Sequence, residues 1–177
     1  MNKPSKEEIA HACGKRLPDV IAPGLKVLFC GINPGLYSAV IGHHFGRPGN
    51  RFWKAIHQAG FTPRLFTPYE DGDLLALGFG LTNLVERATA NANELTDDEL
   101  RQGTKELEAK VQKYHVQNVA ILGLGAFRSA FLRRSAEIGL QSEKLAQARL
   151  WVLPNPSGLN AHYQVDDLVR EYQKLLD

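Results

Sequence analysis

Residues 25–53 read LKVLFCGINPGLYSAVIGHHFGRPGNRFW, and the order of properties along them decides the fold. Val27-Leu28-Phe29-Cys30 is an unbroken apolar run of the kind that forms a buried strand, predicted over Lys26–Cys30. The run passes directly into Gly31 to Trp53, a stretch punctuated by glycine and proline. Asn50 is placed to cap a helix carrying Phe52, Trp53 and Ile56, with Phe52 and Trp53 expected in the core and Gly60 ending the helix. In open α/β sheets ligands bind where the chain leaves the carboxyl end of a strand. Asn33-Pro34-Gly35 forces a tight turn at that place and points the Asn33 amide and its neighbouring N–H groups into the space above the sheet. Alone, such a triplet is more often a plain turn than a catalytic one. A second loop, Asn155-Pro156-Ser157-Gly158-Leu159, follows the apolar run Leu150–Leu153. Two rigid polar loops leaving two buried strands imply one cleft with two walls.

The remaining chain supplies the other layers. Phe79–Val85 is a second strand that delivers Asn83, Glu86 and Arg87 to the same sheet end. Thr96-Asp97-Asp98-Glu99 is a capping box opening a helix with Leu100, Leu107 and Val111 on one face, ending near Tyr114. Asn118–Leu122 is a third strand, followed by Gly123-Leu124-Gly125 and a short helix with basic residues Arg128, Arg133 and Arg134. Leu150–Leu153 is the fourth strand, and Val165–Leu176 a closing amphipathic helix. Strands alternating with helices predict an α/β fold: a three-layer α/β/α sandwich with a parallel sheet covered on both faces. Thr62–Asp73 reads as turn-rich, Gln141–Ala148 as a flexible linker, and residues 1–21 as a peripheral segment with a loose helix over Ser5–His11.

With 177 residues and 44% hydrophobic content, the chain is expected to form a single domain over residues 1–177. A formal net charge of +2 neither identifies nor opposes a nucleic-acid binder. The first ten residues lack an apolar core of signal-peptide length, and no run approaches the ~20 apolar residues of a membrane span. A cytoplasmic protein with no membrane contact is expected. Cys13 and Cys30 are too few for a disulfide framework or a four-thiolate cluster. His43, His44 and His57 lack ligand spacing on one element, and no carboxylate or cysteine joins them, so no metal is expected.

GINPG at Gly31–Gly35, GHHFGRPGNRFW at Gly42–Trp53, TNLVERAT at Thr82–Thr89 and NPSGL at Asn155–Leu159 together resemble the mismatch-specific uracil and thymine DNA glycosylases of the uracil-DNA glycosylase superfamily. The likeness spans roughly Pro23 to Tyr163 and implies a central four-stranded parallel sheet, uracil-DNA glycosylase-like. It implies a monofunctional enzyme, acting as a monomer and without a cofactor. Such an enzyme flips uracil, and related damaged bases such as ethenocytosine or thymine, out of G-mismatched double-stranded DNA and hydrolyses the N-glycosidic bond in base excision repair.

The resemblance also implies roles. Asn33 matches the residue that positions the hydrolytic water, and an amide there means slow, dissociative chemistry in which backbone N–H groups around Ile32 and Phe45 stabilise the departing base. Phe45 matches the stacking aromatic, worth ~1–3 kcal/mol per base. Asn155 stands where faster uracil glycosylases carry a histidine; locking its own turn is an equally open role. Asn83 falls where the family varies between lysine and asparagine and could reach the base edge. Ser38 lies beside the edge that carries a methyl group in thymine, where relatives that process thymine have alanine. Leu159, in the Ser157-Gly158-Leu159-Asn160 loop, matches the apolar wedge that fills the gap in the base stack. Relatives place an arginine just after the wedge, where this chain has Asn160, Ala161 and His162. Arg47, Arg51 and Lys54 are candidates for phosphate contact. Two readings from other classes stay open: a nucleotide-binding protein using Gly123-Leu124-Gly125, and a non-catalytic mismatch-binding module.

Overall fold

A computed structural model describes residues 3–176. Five strands form one sheet: β1 (Val27–Gly31), β2 (Phe79–Asn83), β3 (Asn118–Leu122), β4 (Gly139–Leu145) and β5 (Ala148–Leu153), in the order β2-β1-β3-β5-β4. The first, second, third and fifth run parallel, and β4 is antiparallel to β5 at the edge. Among the described residues six α-helices accompany them: α1 (Lys6–Ala10), α2 (Leu36–Ile41), α3 (Phe52–Gln58), α4 (Asp97–Lys113), α5 (Leu124–Phe131) and α6 (Val165–Gln173).

The period-2 alternation of each buried strand divides the core between two faces. Val27, Phe29, Ala120, Leu122, Trp151 and Leu153 point toward α3 and α6, where Phe52, Ile56, Leu168 and Tyr172 are buried. Leu28, Cys30, Val119, Ile121, Leu150 and Val152 point toward α4 and α5, against Leu107, Val111 and Phe127. Phe52 and Trp53 are core residues, as the sequence predicts. Asn50 accepts a hydrogen bond from the Phe52 N–H at 2.9 Å, but it stands one residue before the N-cap of α3, which is Arg51.

Two expectations are corrected. The sheet has five strands rather than four, because the supposed linker Gln141–Ala148 contains most of β4 and the start of β5. The β4 residues alternate between half-buried and exposed, and Glu143 and Lys144 blunt an edge that would otherwise be open to further pairing. A two-residue turn with Ala146 in the left-handed region joins β4 to β5, and the Gln147 side chain donates to the Val111 and Val116 carbonyls at 2.9 and 3.0 Å. The second correction concerns residues 1–21. Val20 exchanges backbone hydrogen bonds with Leu81 at 2.8 and 2.9 Å, Gly14 donates to Ala88, and Asp19 accepts from the Thr82 hydroxyl at 2.6 Å. Residues 14–20 thus flank β2 and help to build the cleft.

Within the described residues no helix is long and apolar enough to cross a membrane. The parallel strands end on one side of the sheet, and the chain segments leaving β1, β2, β3 and β5 meet there.

Candidate active site

Asn33 lies two residues after the end of β1 and three before the first residue of α2, in a turn too short to wander. Beside it runs the segment Arg87–Thr89, which follows β2; Gly35 pairs with Thr89, and the Thr89 N–H donates to the Pro34 carbonyl at 3.2 Å. The Asn33 Nδ2 donates to the Arg87 carbonyl at 3.0 Å and to Thr89 Oγ1 at 2.8 Å. A carbonyl can only accept, and the Thr89 hydroxyl spends its own proton on the Asn91 carbonyl at 2.7 Å. The orientation of the amide is therefore determined, and Oδ1 is the atom left for the cleft. Arg87 is itself tied down: its guanidinium grips Glu99 at 2.5 and 3.0 Å, and Glu99 caps the first turn of α4. That grip, together with the N–H and hydroxyl of Thr96, holds the Glu99 carboxyl down at about 2.

Asn155 forms the facing wall in the opposite sense. Its Oδ1 accepts from the Ser157 N–H at 2.9 Å, so the turn-locking role exists. The same bond turns Nδ2 outward, over Gly123, where an added Cβ would lie 3.8 Å from it. One wall presents an acceptor, set by the Arg87 carbonyl and the Thr89 hydroxyl, and the other a donor, set by the Ser157 N–H.

Phe45 supplies the aromatic surface. It sits in the left-handed region with φ 51°, half-buried, its ring stacked on Phe52 at 4.0 Å between centroids. Beneath it Gly31 must lack a side chain, since a Cβ there would meet Asn83 Oδ1 at 2.6 Å and the Phe45 ring at 3.5 Å. Asn83 is buried, with Nδ2 at 3.5 Å from His44 Nδ1. The His44 Nε2 faces the Pro18 carbonyl at 2.9 Å and so carries the proton, which leaves Nδ1 as an acceptor. Burial pushes the His44 pKa below its ordinary value and keeps the ring neutral. Ser38 is buried too, and its Oγ accepts from the Gly46 N–H at 2.9 Å. Asp71 completes the bracing of this strap, meeting His43 Nδ1 at 3.0 Å and the His44 N–H at 3.1 Å.

Ile32, Asn33, Ser38, Phe45, Asn83 and Asn155 line one cavity of about 230 Å³, with Ser157 and Leu159 at its rim. It is smaller than the ~300–1,000 Å³ typical of drug-sized ligands and suits a single flat ring. Gly158 lies outside, against the 47–50 loop, and Asn160 braces the wall by donating to the Asn155 carbonyl at 3.0 Å. Leu159 is 72% exposed at the loop tip. His43 and His44 are occupied as described and His57 faces Thr62 instead. Among the described residues no three His, Cys, Asp or Glu side chains are grouped to hold a metal ion.

Some of what the site depends on has no local signal in the sequence. Thr89 stands 56 residues from Asn33, and only its place in the TNLVERAT stretch marks it. Arg51 was a candidate for phosphate contact, but its guanidinium turns inward onto carbonyls of the Asn155–Tyr163 loop. Glu86 leaves the cleft to pair with Lys110 and Arg16. Gly123 is covered by Ile32, whose Cδ1 would lie 3.1 Å from an added Cβ, so the Gly-Leu-Gly start of α5 is not an open phosphate cradle.

Comparison with known proteins bears on the family and the fold. The family described as the Uracil DNA glycosylase superfamily matches residues 18–176. Among solved structures, the chain is similar to a protein of Methanosarcina acetivorans solved by solution NMR, whose own assignment as a uracil DNA glycosylase is provisional. That match has a TM-score of 0.60 at 20% identity and covers 93% of this chain and 99% of the other, a likeness of fold. From the matched residues and the shared architecture, the chain belongs to the uracil DNA glycosylase superfamily, and with it to the hydrolases that cleave N-glycosidic bonds in DNA.

Proposed function

We propose that this glycosylase is monofunctional and removes uracil, with weaker action on thymine or ethenocytosine, from double-stranded DNA opposite guanine. The observation that carries the reading is the pair of asparagine amides fixed in opposite senses across a ring-sized cavity. A base within a duplex is out of reach, so it must be turned out into that cavity. There it lies on Phe45, with Asn83 at its polar edge. As the glycosidic bond lengthens, its electron pair leaves with the base, and the Asn155 Nδ2 donates to the oxygen on which negative charge develops. Asn33 Oδ1 accepts a hydrogen bond from a water and aims its lone pair at the anomeric carbon. The amide cannot take the proton, which passes to solvent only after the new C–O bond forms. The barrier falls mainly through positioning and leaving-group stabilisation, and turnover is slow. Leu159 enters the vacated place in the stack. The protein acts as a cytoplasmic monomer.

The test is incubation with a duplex carrying one uracil opposite guanine, followed by alkali. Strand scission at the uracil is expected, and only after alkali. A bound but uncut duplex would favour a non-catalytic mismatch-binding module, and scission without alkali would mean that a lyase step accompanies base release.

A further inference from the structure

Arg51 immediately precedes α3, and its side chain reaches across to the loop between β5 and α6, over a hundred residues away in sequence. Its backbone N–H donates to the Pro156 carbonyl at 3.0 Å, and Nε to the same oxygen at 3.3 Å. Nη1 donates to the Tyr163 carbonyl, and Nη2 to the carbonyls of Ser157 and, at 3.0 Å, Asn160. Four of the five guanidinium N–H groups are thereby used on main-chain acceptors. The acceptors belong to both arms of the loop, two before the tip and two after it, and Gly158 and Leu159 lie between them. Converging carbonyl dipoles repel one another unless a cation stands at their focus. A planar fork meets acceptors on several sides at once, which the single ammonium of a lysine does not.

We propose that Arg51 is the positioning residue for the apolar tip: it holds the Asn155–Tyr163 loop in its inserted shape before DNA arrives, so that Leu159 enters the stack without first being ordered. Rigidity established in advance removes an entropic cost from the binding step. The proposal rests on the reading of Leu159 as a wedge. Asn155 does not depend on Arg51 alone, because the buried Tyr172 hydroxyl holds the Pro154 carbonyl at 3.0 Å.

Two measurements test it on Arg51→Ala and Arg51→Lys. The first is backbone amide exchange in the free protein. Exchange at Leu159, Asn160 and His162 should accelerate by about tenfold or more in the alanine variant and by less in the lysine variant, with the sheet unaffected. The second is a double-mutant cycle with Leu159→Ala, read as the single-turnover rate on a uracil-containing duplex. Arg51→Ala should slow the wild type about tenfold but the Leu159→Ala protein less than about twofold, because two residues acting through one event are not additive. Unchanged loop exchange in both variants would overturn the proposal, as would a full tenfold loss in the Leu159→Ala background. If Arg51→Ala does not fold, Arg51→Lys carries both tests, and unchanged loop exchange or an equal fractional loss of rate in both backgrounds would overturn the proposal. Failure of the wild type to release uracil would count against the proposed function, and the exchange measurement would then decide the role of Arg51 by itself.

Discussion

Replacing Thr89 by valine keeps the shape of a fully buried side chain and removes one oxygen, which isolates the lock on Asn33 from the water-binding atom itself. In the wild type the Asn33 Nδ2 has two partners, at 3.0 and 2.8 Å, and the substitution deletes the second. The Arg87 carbonyl still fixes which way the amide faces, so Oδ1 stays toward the cleft but with a wider swing. One net hydrogen bond is worth ~0.5–1.5 kcal/mol, and ~1.4 kcal/mol is a factor of ten in rate. If the whole of that bond serves to aim the water, single-turnover release of uracil at saturating enzyme should fall by about two- to twelvefold. Half-saturation should move little, since Thr89 is fully buried and acts through Asn33. The Asn91 carbonyl also loses its donor, so stability should drop by ~1–2 kcal/mol, or about 2–8 °C in Tm for a chain of this size. The assay is a time course on a duplex with uracil opposite guanine, below the melting onset of both proteins. A wild-type rate would refute the reasoning, showing that the Arg87 carbonyl alone aims the amide. So would a loss as large as that of Asn33→Ala, since Thr89 would then be acting on more than aim.

Three further outcomes are expected. Asn33→Ala should slow base release more than about a hundredfold with duplex binding largely retained, and the wild-type rate should show no acid limb near pH ~4 because no carboxylate takes the water's proton; loss of folding along with activity would return Asn33 to a turn-former. Ser38→Ala should raise thymine release relative to uracil by roughly tenfold; because it also frees the Gly46 N–H and loosens the strap that carries Phe45, the ratio of the two rates, not either one, is the quantity to measure, and a constant ratio would move attention to Asn83. His44 titrates lower in the folded chain than in the unfolded one, so below about pH 6.5 the unfolded state binds the extra proton and stability declines as pH falls, with a plateau above. Denaturant unfolding between pH 5 and 7.5 should show that slope in the wild type and a shallower one in His44→Gln, and equal slopes would mean that His44 is charged in the fold.

Much of the cleft is readable from the chain because its parts obey local rules. Four apolar runs become four parallel strands, and each loop that follows one must open on the same sheet end. Asn33, Asn83 and Asn155 are therefore brought together by topology alone. The β4 strand escapes notice because an edge facing solvent keeps only one partly apolar face, and Gln, Glu and Lys suppress the strand signal there. The short α2 is hidden by its composition: Leu36–Ile41 ends in the β-branched pair Val40-Ile41, and six residues are too few for a helical period to emerge. The 3₁₀ segment Pro68–Leu77 did leave a trace, since Thr67 and Glu70 make a capping box around Pro68, yet the surrounding polar residues read as turns. Thr89, Arg51 and His44 act across long separations, the first on the Asn33 side-chain amide and the other two on main-chain carbonyls. Such contacts depend on where the backbone passes, and no spacing in the sequence records them.

The approach of Gly158 to Gly49 bears on how a base gets in. A side chain on Gly158 would meet the Gly49 carbonyl at 2.7 Å, and the Arg51 N–H is bonded to Pro156 nearby, so the 47–51 and 155–158 segments touch main chain to main chain. Side chains swing aside more readily than two backbones joined by a hydrogen bond move apart. The walls on either side of the mouth are thus tied to each other at this corner. With that corner tied, turning a nucleotide out is expected to draw on bending of the duplex as well as on the protein. Lesions flanked by steps that kink easily will be reached sooner than the same lesions in stiff tracts, with no protein side chain reading the difference.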